Sequence, residues 1–360
     1  MKLTYLIPCR KLTALVASRI SVLTEFLVSR KDIDFVIVTG ERPECEPSDR
    51  RIKIVYDEST RFSFWKKVAA ASRYEFEGDF VVLMADDDLN FVLLEDLENW
   101  DDNVNCGQSR HVMIIPKALG AYTLFDGWTH FFASVPYECR AKQVSSLIGE
   151  GPVSVYSTYR SSYFRSIASL IDRLDGVLSR VQAGESIIED FINLSNLVSG
   201  VQPLRNSTLL RVLNSRPLNE RGFRMSRDVF QELEERGMLN EVCSILLDHL
   251  INCVDANELN PYSLESVRHL LKKHVDGYAA ANSRKWRGWI DVEFRPFENE
   301  GRGLLVTSAD RKFNPVYYWG GRHPLGSEVF PVESFLSRTT SRELIRQLPD
   351  SYWSDIHLPA

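Results

Sequence analysis

No two of the six cysteines, at positions 9, 45, 106, 139, 243 and 253, form a Cys-x-x-Cys pair, and none of the seven histidines forms a His-x-x-x-His pair. A zinc-finger scaffold and a disulfide framework are therefore not indicated. No stretch approaches the roughly 20 apolar residues of a membrane span, and Met1-Lys-Leu-Thr-Tyr-Leu-Ile-Pro8 is too short to read as a signal peptide. The chain is expected to be cytosolic, with peripheral contact to a membrane still open to it. An excess of positive charge is also missing: the formal net charge of −6 argues against general nucleic-acid binding. There is no internal repeat and no low-complexity tract. Pro8-Cys9-Arg10-Lys11, after the first apolar stretch, contains no glycine, which excludes a glycine-rich phosphate cradle at that turn.

What remains is ordinary globular material. With 360 residues, 44% hydrophobic and 26% charged, the chain is long enough for two domains, or for one large α/β domain with an appended piece. Its first 200 residues alternate apolar runs with helical spacing. Leu3 to Ile7, Ile33 to Thr39, Ile52 to Tyr56 and Phe80 to Met84 read as buried strands; Leu12 to Val28 and Phe62 to Arg73 read as helices. Strands separated by helices imply right-handed crossovers and a mostly parallel sheet. His111 to Ile115 and Val153 to Tyr156 are expected as further strands, and Phe91 to Trp100 as a helix. Between them lies an aromatic-rich segment with Tyr122, Phe125, Trp128, Phe131 and Phe132, read as core or as a platform for rings.

The strand Phe80 to Met84 ends in Asp86-Asp87-Asp88. Ligands of open α/β sheets bind at the carboxyl ends of the strands, and carboxylates are hard ligands for Mg2+ or Mn2+ beside a diphosphate. An Asp-x-Asp spacing lets Asp86 and Asp88 reach one ion while Asp87 points elsewhere. The same acids, ahead of Phe91-Val-Leu-Leu94, would also suit a helix start. Loops after the first, second and fourth strands converge on one edge, bringing together Arg10 and Lys11, Thr39 to Glu41, and Asp86 to Asp88. Cations and carboxylates in one crevice fit a phosphorylated ligand bridged by a metal. Farther on, Ile187, Ile188, Phe191, Leu194 and Val198 form a helical face closed by Gly200, with Glu189 and Asp190 near its start. Acids there satisfy the helix dipole, and one facing the crevice would serve as a general base.

Taken together, Leu6-Ile-Pro8-Cys9-Arg10, Phe35-Val-Ile-Val-Thr39 and Phe80 to Asp88 resemble the nucleotide-sugar-dependent glycosyltransferases of the GT-A fold. Thr60-Arg-Phe-Ser-Phe-Trp65, Ala85 to Asp88 and Cys106-Gly-Gln108 are similar to a bacterial subfamily of them. The resemblance implies an α/β, Rossmann-like, mostly parallel sheet flanked by helices, with a mainly helical C-terminal extension. It implies Asp86 and Asp88 holding Mn2+ or Mg2+ against the donor diphosphate, with Asp87 beside it, and Pro8, Arg10, Thr39 and Glu41 flanking the base and ribose. Glu189-Asp190 is similar to the family's Glu-Asp pair, in which the Asp removes the acceptor's hydroxyl proton in inverting members. The family commonly has an Asp just after the second strand; Thr39-Gly40-Glu41 stands there instead, which leaves the nucleotide open. His323, in Trp319-Gly-Gly-Arg322-His323, is a candidate further metal ligand.

The expected division is a nucleotide-sugar-binding catalytic domain over 1–215 and a helical or mixed region over 216–360 that binds acceptor or partner. The expected activity is transfer of a sugar from a nucleotide-diphosphate donor to a glycan or lipid-linked glycan, as in bacterial surface polysaccharide synthesis. The alternatives are a non-catalytic nucleotide- or glycan-binding protein on the same sheet, and a sugar-phosphate nucleotidyltransferase. The second needs the glycine-rich loop this chain lacks. A phosphoaspartyl receiver or phosphatase would want an acid directly after Leu6-Ile7, where Pro8 stands.

Overall fold

The computed structural model describes residues 1–27, 32–71, 78–86, 88–116, 122–127, 155–212, 226–253, 263–288, 292–297, 301–306 and 328–331. Four apolar runs become parallel strands: β1 (Leu3–Cys9), β2 (Ile33–Thr39), β3 (Ile52–Tyr56) and β4 (Phe80–Leu83), in the order β3-β2-β1-β4. Helices α1 (Ala14–Phe26) and α2 (Phe64–Ala71) are the crossovers after β1 and β3. Both faces of β1, β2 and β4 are covered, whereas β3, at the sheet edge, leaves Lys53 and Tyr56 exposed. Successive side chains enter opposite cores: Leu6, Val36, Val38, Val81 and Leu83 join one cluster, and Tyr5, Ile7, Phe35, Ile37, Phe80 and Val82 the other. The α/β class expected from the sequence is the one observed.

Beyond β4 the sheet becomes mixed. The strand β5 (Asp88–Phe91) and the short helix α3 (Leu94–Glu98) occupy the segment expected to be one helix. Next in the chain come β6 (Cys106–Pro116), β7 (Tyr122–Gly127), β8 (Thr158–Arg160) and β9 (Val201–Val212). The sheet continues from β4 as β8-β6-β9-β5, with β7 on β6. The expected strand at Val153 to Tyr156 is replaced by β8, because Thr158 to Arg160 are the residues paired with Phe80 to Val82; 151–154 lie outside the described residues. β6 and β9 run parallel, with a register break between Ser109 and Arg110 where Leu204 gives way to Thr208. The five residue-to-residue steps from Leu83 to Asp88 span at most roughly 18 Å. The distal part of the β6/β9 ribbon, which pairs with β5, must therefore fold back towards the end of β4. Ser207, at the break, is pinned by Asp96 of α3, whose carboxylate accepts from its amide at 2.8 Å and its hydroxyl at 2.6 Å.

Helices α4 (Ser161–Leu178), α5 (Ile188–Ser199), α6 (Ser226–Glu235), α7 (Leu239–Cys253) and α8 (Leu264–Gly288) follow. The continuous helical pattern from Val229 to Cys253 is two helices, α6 and α7, separated at Gly237, whose φ of 69° suits glycine. Val229, Leu233, Leu246, Leu250, Val267 and Leu271, beyond residue 215, share one buried cluster with Val68, Leu83, Ile167 and Phe191. A three-stranded antiparallel sheet of β10 (Val292–Phe297), β11 (Gly301–Val306) and β12 (Glu328–Pro331) completes the described elements. Among the described residues no helix is long and apolar enough to cross a membrane.

Candidate functional site

The carboxyl ends of β1, β2, β3 and β4 form one edge, and the loops leaving it are bonded to one another. The Thr39 hydroxyl, fully buried at the end of β2, lies 2.7 Å from the Glu41 carbonyl oxygen and 3.2 Å from that of Arg10. The amide of Glu41 donates to the Arg10 carbonyl at 3.0 Å, and the amide of Asp57, after β3, donates to the Thr39 carbonyl at 3.0 Å. Glu41 accepts from Arg10 at 2.8 Å and from Arg61 at 3.1 Å. The hydrogen bond from Arg10, then that from Arg61, holds the Glu41 carboxyl below the usual range. Arg10 and Arg61 remain substantially exposed, so this edge presents two guanidinium groups to solvent around one carboxylate.

Between these loops Gly40 lies against the backbone of Arg61: a Cβ on Gly40 would sit 2.3 Å from the Arg61 Cα. Only glycine allows the β2 and β3 loops to approach so closely. The second loop is held from below by Lys67 of α2. Lys67 is 3% exposed, and its ammonium donates to the carbonyls of Thr60 at 2.7 Å, Arg61 at 3.3 Å and Ser63 at 3.0 Å. Burial lowers the Lys67 pKa below its ordinary value, while Cys9, Glu185 and Asp86 act in the other direction. Burial, with Asp86 adding to it, pushes the Cys9 thiol up to about 12, so this cysteine is a protonated core residue.

Asp86 follows the end of β4 and is half-buried. The pairing of β4 with β1, continued by the Met84 amide donating to the Leu6 carbonyl at 3.1 Å, brings the chain before Asp86 alongside the end of β1. Asp88 is fully buried and opens β5, its amide bonded to the Ala85 carbonyl at 3.2 Å. Asp86 thus lies in a turn and Asp88 in a strand, and the reading of these acids as a helix start is corrected: α3 begins only at Leu94. Mg2+ or Mn2+ is held by one or two carboxylates together with diphosphate oxygens and water; the half-buried Asp86 has the donor chemistry and partial exposure for this, whereas Asp88 is enclosed. Among the described residues no cluster of three His, Cys, Asp or Glu side chains converges. Asp87 and the proposed ligand His323 lie outside the described residues.

Of the remaining expected site residues, Pro8 is buried inside β1 opposite Val38, so it shapes the strand end from within. Glu189 is half-buried in the first turn of α5. Asp190 is 2% exposed, with its carboxylate 3.4 Å from His274 Nε2 of α8, itself 1% exposed. The expectation of an Asp190 open to the crevice is corrected to an enclosed Asp–His pair. Helix phase is the reason: Asp190 stands three residues after Ile187 and four before Leu194, on the apolar stripe.

No protein-family model matches this sequence, and no curated protein matches it. Among solved structures, S. aureus TarS 1–349 is similar at 13% identity and a TM-score of 0.37, over 92% of this chain and 99% of that one. For a longer S. aureus TarS structure the values are 12% and 0.35, over 86% of this chain and 59% of that one. Glucosyl-3-phosphoglycerate synthase from Mycobacterium tuberculosis, crystallised with Mn2+ and UDP-glucose, is similar at 15% identity and a TM-score of 0.35, over 65% and 78%. Similarity at this level assigns no chemistry to this chain.

Three residues at the edge carry no role in the sequence reading. Arg61 lies in the segment Thr60 to Trp65 that carried the resemblance, but only the fold shows it bonded to Glu41. Glu185, before α5, accepts from the Ser63 hydroxyl at 2.6 Å and joins α5 to the same loop. A cavity of about 520 Å3 opens beside it, lined by Arg61, Ser63, Lys66, Asp175 and Glu185 among others; of the described residues, neither Asp86 nor Asp88 lines it. Lys67 had a signal: it is three residues after Phe64 and four before Ala71, on the inner face of α2.

Proposed function

We propose that this protein is a divalent-metal-dependent glycosyltransferase that moves a sugar from a nucleotide-diphosphate donor to an acceptor hydroxyl of a glycan or lipid-linked glycan, with inversion. The observation that carries the reading is the company at the carboxyl edge of the parallel strands: Asp86 after β4, with Asp88 two residues on, at the same edge as the bonded Arg10–Glu41–Arg61 cluster. Such an edge suits a ligand with both phosphate and hydroxyl groups. Asp86 and Asp88 would hold Mn2+ or Mg2+. When bound, the ion would stabilise negative charge on a diphosphate leaving group. Arg10, Thr39 and Glu41 would border the base and ribose, with Pro8 shaping their strand end.

In the proposed reaction the acceptor hydroxyl gives its proton to the Glu189–Asp190 pair, with Asp190 as the base. Its oxygen bonds to the anomeric carbon while the bond from that carbon to the diphosphate breaks, and the electron pair leaves with the diphosphate. The enclosure of Asp190 by His274 favours a second reading, a nucleotide- or glycan-binding protein without transfer activity, because a buried base reaches acceptor only if a channel admits it.

A thermal-shift panel of nucleoside diphosphates with and without Mn2+ tests the donor site, since a ligand of the native state raises its melting temperature. Slow Mn2+-dependent release of nucleoside diphosphate from a nucleotide sugar then separates transferase from binder. A flat panel would remove the transferase reading and leave a glycan binder; a shift without any release would leave a nucleotide binder.

A further inference from the structure

We infer that the cavity between the loop 60–63 and the segment 175–185 is a binding site for a neutral sugar unit of a glycan, with Phe62 as the face on which the sugar ring rests. The inference is independent of the donor-site reading, because neither a metal nor a diphosphate takes part in it.

At about 520 Å3 the cavity falls within the size range of small-molecule sites. Its walls are fixed without a ligand. On one side Lys67 holds the carbonyls of Thr60, Arg61 and Ser63. On the other, Gly184 lies so close to the Leu178 carbonyl that a Cβ would come within 2.3 Å of its oxygen, and its amide donates to the Val181 carbonyl at 3.1 Å. Ala183, next to it, is held at a φ of 54°, a left-handed conformation that a residue with a Cβ adopts only where its surroundings impose it. Two contacts tie the walls together: the Ser63 hydroxyl donates to Glu185 at 2.6 Å, and Lys66 meets Asp175 of α4 at 3.3 Å. A site already in shape loses little order on binding.

The lining selects the ligand. Its two cations are already paired, Arg61 with Glu41 and Lys66 with Asp175, and Glu185 adds a further negative charge. An anion would have to compete with these carboxylates, whereas the hydroxyls of a neutral sugar can donate to Asp175 and Glu185. The apolar contact comes from Phe62, which is 80% exposed, more than any other large hydrophobic residue among those described. A lone exposed apolar side chain is ordinary. Phe62, however, belongs to the braced loop, lines the polar cavity and has the Arg61 guanidinium 5.1 Å from its ring centre. The C–H face of a sugar packs on such a ring while its hydroxyls meet the carboxylates.

Saturation-transfer NMR on the full chain, without Mn2+ or nucleotide, tests the site with glucose, galactose, N-acetylglucosamine, cellobiose, lactose and chitobiose as probes. At least one is expected to receive saturation, most strongly at its ring C–H protons. Phe62→Ala should weaken that binding about tenfold, the worth of one aromatic contact, and melt like the wild type because the ring lies outside the core. Phe62→Trp should retain the binding, and Glu185→Gln should weaken it by about fivefold, the loss of one charge-assisted hydrogen bond. A wild type that takes up no saturation to any probe overturns the proposal. So does wild-type affinity in Phe62→Ala, which would put the sugar elsewhere on the chain, or in a folded Glu185→Gln. The donor-site reading stands or falls separately, on the diphosphate panel with Mn2+.

Discussion

Asp86 and Asp88 share a spacing and differ in surroundings, and the difference sets what each substitution should do. Asp86 is half-buried at the turn, whereas Asp88 is enclosed at the start of β5. Asp86→Asn should melt like the wild type without ligand and lose the Mn2+-dependent shift with diphosphate. In the wild type that shift is worth roughly 2.7 kcal/mol at a hundredfold excess over Kd. Differential scanning fluorimetry reads both, and a retained shift in Asp86→Asn would remove the carboxylate from the metal site. His249 shows the opposite logic, a titratable group kept neutral for the sake of the core. Its Nε2 lies 2.6 Å from the Ser195 hydroxyl, which meets Tyr163 at 2.8 Å, and Tyr163 donates to Asn196 at 3.1 Å. Burial, reinforced by Arg173, lowers its pKa from 6.5 to about 4. Below pH 6.5 the unfolded chain takes up a proton that the folded chain refuses, so stability falls with pH until about pH 4 and then levels off. The loss from this group is roughly 3 kcal/mol. Urea unfolding between pH 4 and 7 should show it in the wild type and show a flatter profile in His249→Gln.

At the scale of elements, the donor edge depends on loop contacts that no single strand or helix specifies. Gly40→Ala would drive a methyl group into the Arg61 backbone. It should cost about 1–3 kcal/mol, as overpacking does, and weaken diphosphate binding with every catalytic side chain intact. Wild-type melting and binding in Gly40→Ala would mean that the two loops do not need their close approach. The strands β2 and β3 were legible residue for residue: β2 is a β-branched apolar run buried almost throughout, and β3 is a short β-branched run between polar boundaries. Asp88 to Phe91 was not legible as a strand: its partner, Thr208 to Arg211, is far along the chain. Nor was β8, a triplet selected by the register of β4 and β6. Asp190 is an instructive middle case. Its position between Ile187 and Leu194 marked it as inward-facing, but nothing local pointed to His274 as the group it would meet.

Over the whole molecule, the helices after residue 215 and the helix-covered face of the sheet make one hydrophobic cluster. Leu246 and Leu271 are fully buried in it, and truncating either to alanine should cost about 2–5 kcal/mol. A fragment ending at residue 215 would leave the partners of Leu246, Val267 and Leu271 facing water. It should show no cooperative thermal transition, whereas one ending at residue 288 should melt cooperatively; near-ultraviolet circular dichroism during heating distinguishes them. A fragment 1–215 with a sharp transition would show that the sheet and its first helices form a sufficient core.

By itself the sequence determined the α/β class, the parallel direction of its first strands and the shared edge to which the loops carrying Arg10, Glu41 and Asp86 belong, because burial of short apolar runs and strand–helix alternation are local matters. Only the tertiary structure decided that Asp88 begins a strand, that Asp190 is enclosed by His274 and that Lys67 stands beneath the Arg61 loop. Each of those depends on which distant segment supplies the neighbouring surface, and a charged side chain's surroundings are set by that neighbour and not by its own stretch of chain.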